Sequence, residues 1–485
     1  MTMSLQKMRS KTKIFQIIAS SALVLTLQAC IPDSLIKKED THLPTVFKEG
    51  VSDEDNAANI KWEDFFSDPN LVSLLDIAVE NNKEINIMMQ RINIARNEIQ
   101  ARRGQYLPFV GIGGSAGKER VGEFTRFGAV EENLPVREGR HFPRYVGDYH
   151  FGLFSTWEID IWKKLRNAKQ VAVFEYMASE EGKNFLVTNL VAEIAHSYYE
   201  LLSLDNQLNN LELNISIQQN ALKMVRRLQE YARASTLAIK RYEAEVAKNK
   251  SKLYQINQSI TVVENRINFL LGRTPQPIQR ASGSFMEFKP FMLKTGIPSQ
   301  LLQNRPDIRQ AELELSAAAL NIEVARAEFY PSFGIRAGIG FEAFAVKYLI
   351  NTPESLAAMI AGDLVAPLVN RNAIEAEYKN ANSRQIQAAY EYEQRIIRAY
   401  TEVANQVSNI NNLDKSYQLK SEQVEALSKS IDIANNLFKS ARTDYLDVLL
   451  AQRETLDAKA DLIEMKQKQI DAMVDLYRSL GGGWQ

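Results

Sequence analysis

The chain has 485 residues, 45% hydrophobic and 24% charged, enough for two or three ordinary domains and a sizeable core. Its 58 Lys and Arg balance 59 Asp and Glu, which leaves neither a basic field for nucleic acid nor an acidic tail. The single cysteine, Cys30, has no disulfide partner within the chain, and the four histidines (His42, His141, His150, His196) show no metal-ligand spacing.

Lys7, Arg9, Lys11 and Lys13 form a basic leader, followed by an apolar run from Ile14 to Leu27. That run is short for a membrane-spanning helix and ends in small residues, so residues 1–29 read as a secretory signal. Leu27-Gln28-Ala29-Cys30 resembles a bacterial lipobox, in which cleavage exposes a cysteine that becomes lipid-modified, although Gln28 stands where a small residue is usual. Cys30 is the expected anchor in outer-membrane lipid and residues 30–60 the anchored tail. Ile31 after it, rather than Asp, favours the outer membrane by analogy with lipoprotein sorting. No later apolar run is long enough for a transmembrane helix.

Further along, Pro108–Ala116 is a first strand candidate. Within it, Gly113–Lys118 only faintly resembles a phosphate loop, because Ile112 and Glu119 occupy positions that would need Gly and Ser or Thr. A charged, turn-rich stretch, Gly117–Asp148, leads to a second strand. There Tyr149, Phe151, Leu153, Ser155 and Trp157 alternate with His150, Gly152, Phe154, Thr156 and Glu158. From about Asp160 to Arg233 there is no proline and only Gly182, which predicts one nearly continuous helix on the order of 110 Å long. Ile194, Tyr198, Leu201, Leu204, Leu208, Leu211 and Ile215 form its a/d seam. Arg273–Pro298, with four prolines, reads as a linker. Beyond it Phe333, Ile335, Ala337, Ile339 and Phe341 alternate with Gly334, Arg336, Gly338, Gly340 and Glu342, and Leu356–Pro367 is a fourth strand candidate, with Ala343–Ser355 between them. A second helical seam follows in Val424, Leu427, Ile431, Ala434 and Phe438.

One segment occurs twice. Leu228, Ala232, Arg233, Leu237, Glu245, Lys250, Leu253, Leu271 and Gly272 recur as Leu437, Ala441, Arg442, Leu446, Glu454, Lys459, Leu462, Leu480 and Gly481, always 209 residues later (481 − 272). Chance would supply roughly three identities over such a window. The domain plan is therefore a repeat over 61–272, a linker over 273–298 and a second repeat over 299–485. Four strands of about ten residues have the length and alternation of transmembrane β-strands, with a soluble hairpin as the alternative. Four cannot close a barrel, and open edges are not tolerated in lipid, so several chains would have to share one.

Trp157-Glu158-Ile159-Asp160, Arg305-Pro306-Asp307-Ile308-Arg309, Ala325–Pro331, Ala366–Arg371 and Leu480-Gly481-Gly482-Gly483-Trp484, in this order, resemble the TolC-like outer-membrane efflux channels, specifically their lipoprotein branch. The resemblance implies an α+β membrane protein. A long periplasmic α-helical barrel would join four transmembrane β-strands per chain, closed as a shared trimeric β-barrel of twelve strands. It also implies a homotrimer that meets a periplasmic adaptor protein and an inner-membrane pump, with no cofactor and no catalysis. The linker would belong to a belt around the tunnel.

The resemblance further places a periplasmic gate and an adaptor-docking tip at the two repeat turns. Asp447 matches the first acidic gate position, Leu450 replaces the second, and Asp444 and Arg442 lie beside it. Thr443 stands at the basic latch position, and the latch partner falls at Leu237-Ala238. The tip would comprise Ala232, Arg233, Ser235, Leu237, Ala441, Thr443 and Leu446. Two roles stay open: Thr443 or Asp444 could simply cap the next helix, and Asp447 could either line a pore, where three converging carboxylates attract cations, or face outward. The competing function is a lipid-anchored coiled-coil adaptor. Two helical units with amphipathic strands at the head of each favour the duct.

Overall fold

The computed structural model of the protein describes residues 32, 34–47, 56–137, 139–231, 233–288, 294–440 and 442–484. Cys30, Ala232 and Ala441 lie outside them. In the first half the main elements are α1 (Pro69–Asn81), α2 (Lys83–Gln105), β1 (Phe109–Glu119), β2 (Val146–Ile159), α3 (Lys164–Glu230) and α4 (Thr236–Leu270). In the second half they are α5 (Pro306–Ala327), β3 (Ser332–Ala343), β4 (Leu356–Val365), α6 (Asn372–Lys439) and α7 (Tyr445–Leu480). Among the described residues no helix is long and apolar enough to cross a membrane.

The expected long helix is α3, 67 residues or about 100 Å. It begins after Asp160 because that carboxylate serves its orphan N–H groups: Oδ1 accepts from Leu165 N at 3.1 Å and Oδ2 from Arg166 N at 3.0 Å. Gly182 is helical, and a Cβ there would sit 3.1 Å from the Met88 methyl and 3.3 Å from Gln310 Oε1. The lone glycine thus lets α2 and α5 approach α3. Along the predicted seam Ile194, Tyr198 and Leu201 are fully buried, whereas Leu204 and Leu208 are half-buried.

The chain forms two compact units that cut across the sequence repeats. The first comprises Met1–Lys38, Asn93–Tyr176 and Leu313–Ala389, and the second Glu39–Ile92, Met177–Glu312 and Tyr390–Gln485. Each therefore takes segments from both halves.

The first unit carries one antiparallel sheet in the order β1-β2-β3-β4. Its register aligns the alternations read from sequence: Ile112 faces Leu153, Leu153 faces Ile339, Phe151 faces Phe341, and Phe341 faces Leu356. One face is consequently apolar across all four strands, and Ile112, Phe151, Leu153, Ile339 and Ile360 on it are exposed. The other face is small and polar. Arg336 donates twice to Asp363 (2.8 and 2.9 Å), and Phe154 covers Gly111 and Gly113. The paired Gly152 and Gly340 lie so close that a Cβ on either would come 2.6 Å from the other's Cα. Trp157 and Trp162 tie the sheet base to the chain by donating to the carbonyls of Tyr106 (3.0 Å) and Pro331 (2.8 Å). The loop after β1 holds a short helix, Arg126–Asn133, and a ribbon pairing Pro135–Arg137 with Arg140–His141. In the tail, Leu35 N donates to Asn382 on α6 at 2.8 Å, and Lys37 N to Gln385 at 2.9 Å.

In the second unit the repeats end alike. Gly272 (φ 67°) and Gly481 (φ 98°) both adopt left-handed geometry after α4 and α7. Arg273 N bonds Asn268 O at 3.0 Å, and Gly482 N bonds Tyr477 O at 3.1 Å, the six-residue closure of a helix C-terminus. Each end is then gripped by the residue just before another helix, Asn82 before α2 and Arg305 before α5. Asn82 Nδ2 donates to Leu270 O at 2.8 Å, while Arg305 Nη1 donates to Ser479 O at 2.9 Å. Arg305 is buried and also pairs with Asp307 and Glu402, both at 2.8 Å. This gives the Arg-Pro-Asp motif and the Leu-Gly-Gly ending one shared structural role, with the Asp307 carboxylate, in the first turn of α5, bound to Arg305. The linker is pinned by Arg280, which bridges Asp205 on α3 (2.7 Å) and Glu264 on α4 (2.6 Å).

Candidate functional site

Long helices need a sharp stop, and both repeats supply the same one. After α3, Arg233 N bonds Leu228 O at 2.8 Å; after α6, Arg442 N bonds Leu437 O at 3.0 Å. Ser235 and Asp444 occupy matching N-cap positions of α4 and α7. Ser235 Oγ accepts from Ala238 N at 3.2 Å, whereas the Asp444 side chain makes no capping bond. Instead the Thr443 hydroxyl donates to the carboxylate of Asp447, which lies in the first turn of α7, where a negative charge suits the helix dipole.

The two turns pack on a common core. Ala221 and Val225 of α3, Ile239 and Tyr242 of α4, and Tyr445, Val448 and Leu449 of α7 are buried together, with Ala238, Phe438 and Leu446 against them. Tyr445 lies between two other rings, 5.4 Å from Tyr242 and 4.5 Å from Phe438. Burial pushes the ionisation of both tyrosines up, so neither is an anion at any physiological pH. Arg233, Ser235, Leu237, Arg442, Asp444 and Asp447 are exposed, while Thr443, Leu446 and Leu450 are half-buried. The structure therefore unites the two turns expected from sequence and leaves their charged residues outward.

Two features escaped the sequence reading. One is the aromatic knot of Tyr242, Phe438 and Tyr445; large rings at buried helical positions beside each turn were the available signal. The other is a clamp between α3 and α4, where Glu243 accepts from Arg226 at 2.8 Å and from Lys240 at 2.9 Å. Those two bonds hold its carboxyl below the usual range.

Away from the turns, His196 on α3 sits between Asp471 (2.9 Å) and Asp475 (3.3 Å) on α7. Burial opposes its charge, but the two carboxylates prevail and raise its pKa to about 9. Among the described residues no group of three or more His, Cys, Asp or Glu could hold a metal ion. The arrangement offers exposed fixed charges on a packed helical end.

The sequence profile of the outer membrane efflux proteins matches residues 74–273 and 297–482. The chain is 27% identical over 427 residues to the pyoverdine export outer membrane protein OpmQ of Pseudomonas putida, covering 88% of each. It is 26% identical over 438 residues to the cation efflux system protein CusC of Escherichia coli, covering 90% of this chain and 91% of CusC. In structure it is similar to the open state of the MtrE outer membrane channel of Neisseria gonorrhoeae, with a TM-score of 0.82 and 23% identity over 93% of this chain and 99% of MtrE.

Proposed function

The chain belongs to the outer membrane efflux proteins, and from that premise we propose that it is the passive exit duct of a tripartite efflux system. Three copies would share one twelve-stranded barrel in the outer membrane, and their helices would enclose a tunnel through the periplasm to an adaptor and an inner-membrane pump. The observation that carries this reading is the in-register apolar face of the four-stranded sheet, joined in sequence to two matched pairs of long helices. Such a face has no use in water and fits a lipid boundary. The duct contributes no chemistry; energy and most of the selection would come from the pump. Cys30 would be acylated, adding a lipid anchor to the barrel, and mass spectrometry of the mature membrane protein reads this directly.

The tips of α3–α4 and α6–α7 would meet the adaptor and form the gate, with Asp447 lining its narrowest ring. The purified protein in a planar bilayer should form discrete, long-lived conducting units, and in cells its deletion should abolish export by the pump it serves. A protein that leaves the bilayer insulating and is held at the membrane by its lipid alone, so that Cys30→Ser removes all tight membrane association, would be the adaptor of the competing reading.

A further inference from the structure

The two repeat turns share their backbone but carry opposite charge. Residues 222–252 hold nine Lys and Arg against three Glu, a net of +6; the matching stretch 209 residues on, 431–461, holds four against six acids, a net of −2. The difference lies at matched positions: Lys223 corresponds to Asp432, Lys240 to Leu449 and Arg241 to Leu450. Lys223, Arg226, Arg227, Arg233, Lys240 and Arg241 are all exposed around the first turn. Glu243 is shared by Arg226 and Lys240, so even this clamp keeps one positive charge in excess. Among the described residues Lys223, Arg227, Arg233 and Arg241 have no carboxylate partner.

We propose that the first-repeat turn is a docking face for an acidic helix-turn-helix tip of the periplasmic adaptor, and that the second-repeat turn rejects the same tip. This rests on the reading of the turns as adaptor-docking ends. Exposed charges act over about one Debye length, roughly 10 Å at 0.1 M salt, which spans the first two turns of each helix. Within that reach an acidic tip is drawn to Lys223, Arg227 and Arg241 and repelled by Asp432, Asp444 and Asp447. The pattern suits discrete protein tips rather than an extended polyanion or lipid surface, which would meet both turns at once. Charge arranged this way sets which groove a partner enters and how fast, more than how tightly it holds.

The test uses the full-length assembled protein and two synthetic helical hairpins, identical except for Glu or Lys at the tip. Binding is measured by fluorescence anisotropy at low salt and again at about 0.3 M, with a photo-crosslinker attached at Ser235→Cys to report the location. The Glu hairpin should bind at least about tenfold tighter at low salt, lose most of that margin at high salt, and crosslink through Ser235→Cys. The variant Lys223→Glu/Arg227→Glu/Arg241→Glu, with its oligomer confirmed by native mass spectrometry, should invert the preference. Equal binding and crosslinking of both hairpins would overturn the charge assignment and leave the docking reading standing. No crosslink from either hairpin would overturn both. Loss of the oligomer in the charge-reversed variant would assign these cations to a neighbouring copy of the chain and refute the proposal.

Discussion

At the scale of single residues, local polar partners set the expected behaviour of His196 and Asp447. His196 has its pKa raised to about 9 by Asp471 and Asp475. A raised value means the charged form stabilises the fold: the contribution is complete below the unfolded pKa of about 6.5 and is lost as pH rises through about 9. The shift corresponds to at most about 3 kcal/mol, and because the side chain is 31% exposed, solvent screening reduces this to about 1–2 kcal/mol. Thermal melts of His196→Gln should therefore lie below wild type near pH 6 and converge with it by about pH 10. A constant offset across that range would remove His196 from the account. Asp447 belongs to the proposed gate. Its carboxylate is exposed and oriented by Thr443, so Asp447→Asn should lower cation preference in single-channel recordings with little effect on stability. With Leu450 where a second acid would stand, the change in reversal potential should be modest. Identical reversal potentials in wild type and Asp447→Asn would place the residue outside the constriction.

At the scale of elements, the matched helix ends allow a substitution pair of opposite sign. Gly481 combines φ 98° with a Cβ that would come 2.6 Å from Asn304 O, so Gly481→Ala strains the backbone and breaks the grip of Arg305 on the end of α7. A cost of about 2–4 kcal/mol is expected, left-handed strain plus displacement of packed backbone. Gly104, in the last turn of α2, has open space around it, so Gly104→Ala should stabilise by about 0.5–1 kcal/mol. Thermal melts of the two variants side by side check both signs. These elements also mark what the sequence could and could not say. Period-two alternation located β2 and β3 because each buries or exposes whole faces, and the absence of proline located α3. The ribbon at Pro135–Arg137 and Arg140–His141 stayed hidden, being too short to show a period and starting on a proline. The His196 pair was equally illegible, since its acids lie 275 and 279 residues away and only packing brings them together. Both helix-ending glycines were visible as a repeated Leu-Gly, whereas the Arg305 hold on Ser479 needed the fold. The seam from Val424 to Phe438 reads as buried but is only half-buried in one chain, and in the proposed assembly neighbouring copies would cover it.

At the scale of the whole molecule, the question is how an open four-stranded sheet closes. Its edges are β1 and β4, different strands, so in the proposed assembly copies would join head to tail, β1 of one to β4 of the next. Such heterologous joins either close into a ring or run on without limit. Unlimited growth is incompatible with lipid, which does not tolerate open edges. Two copies would give eight strands, and a barrel of that size has an interior just filled by side chains, which is no duct. Three copies, giving twelve strands, is the smallest ring with room for a lumen. The apolar face fits this assembly: Ile112 on β1 and Ile360 on β4 carry it out to both edges, so it stays continuous across each join. Cysteine pairs scanned along β1 and β4, oxidised in native membranes, should therefore trap a covalent species of three chains and nothing larger. The only natural cysteine, Cys30, is removed from the background by Cys30→Ser. A ladder extending past three would mean an open sheet, and a limit at two would mean a filled eight-stranded barrel. In either case the proposed tunnel would have no exit through the outer membrane.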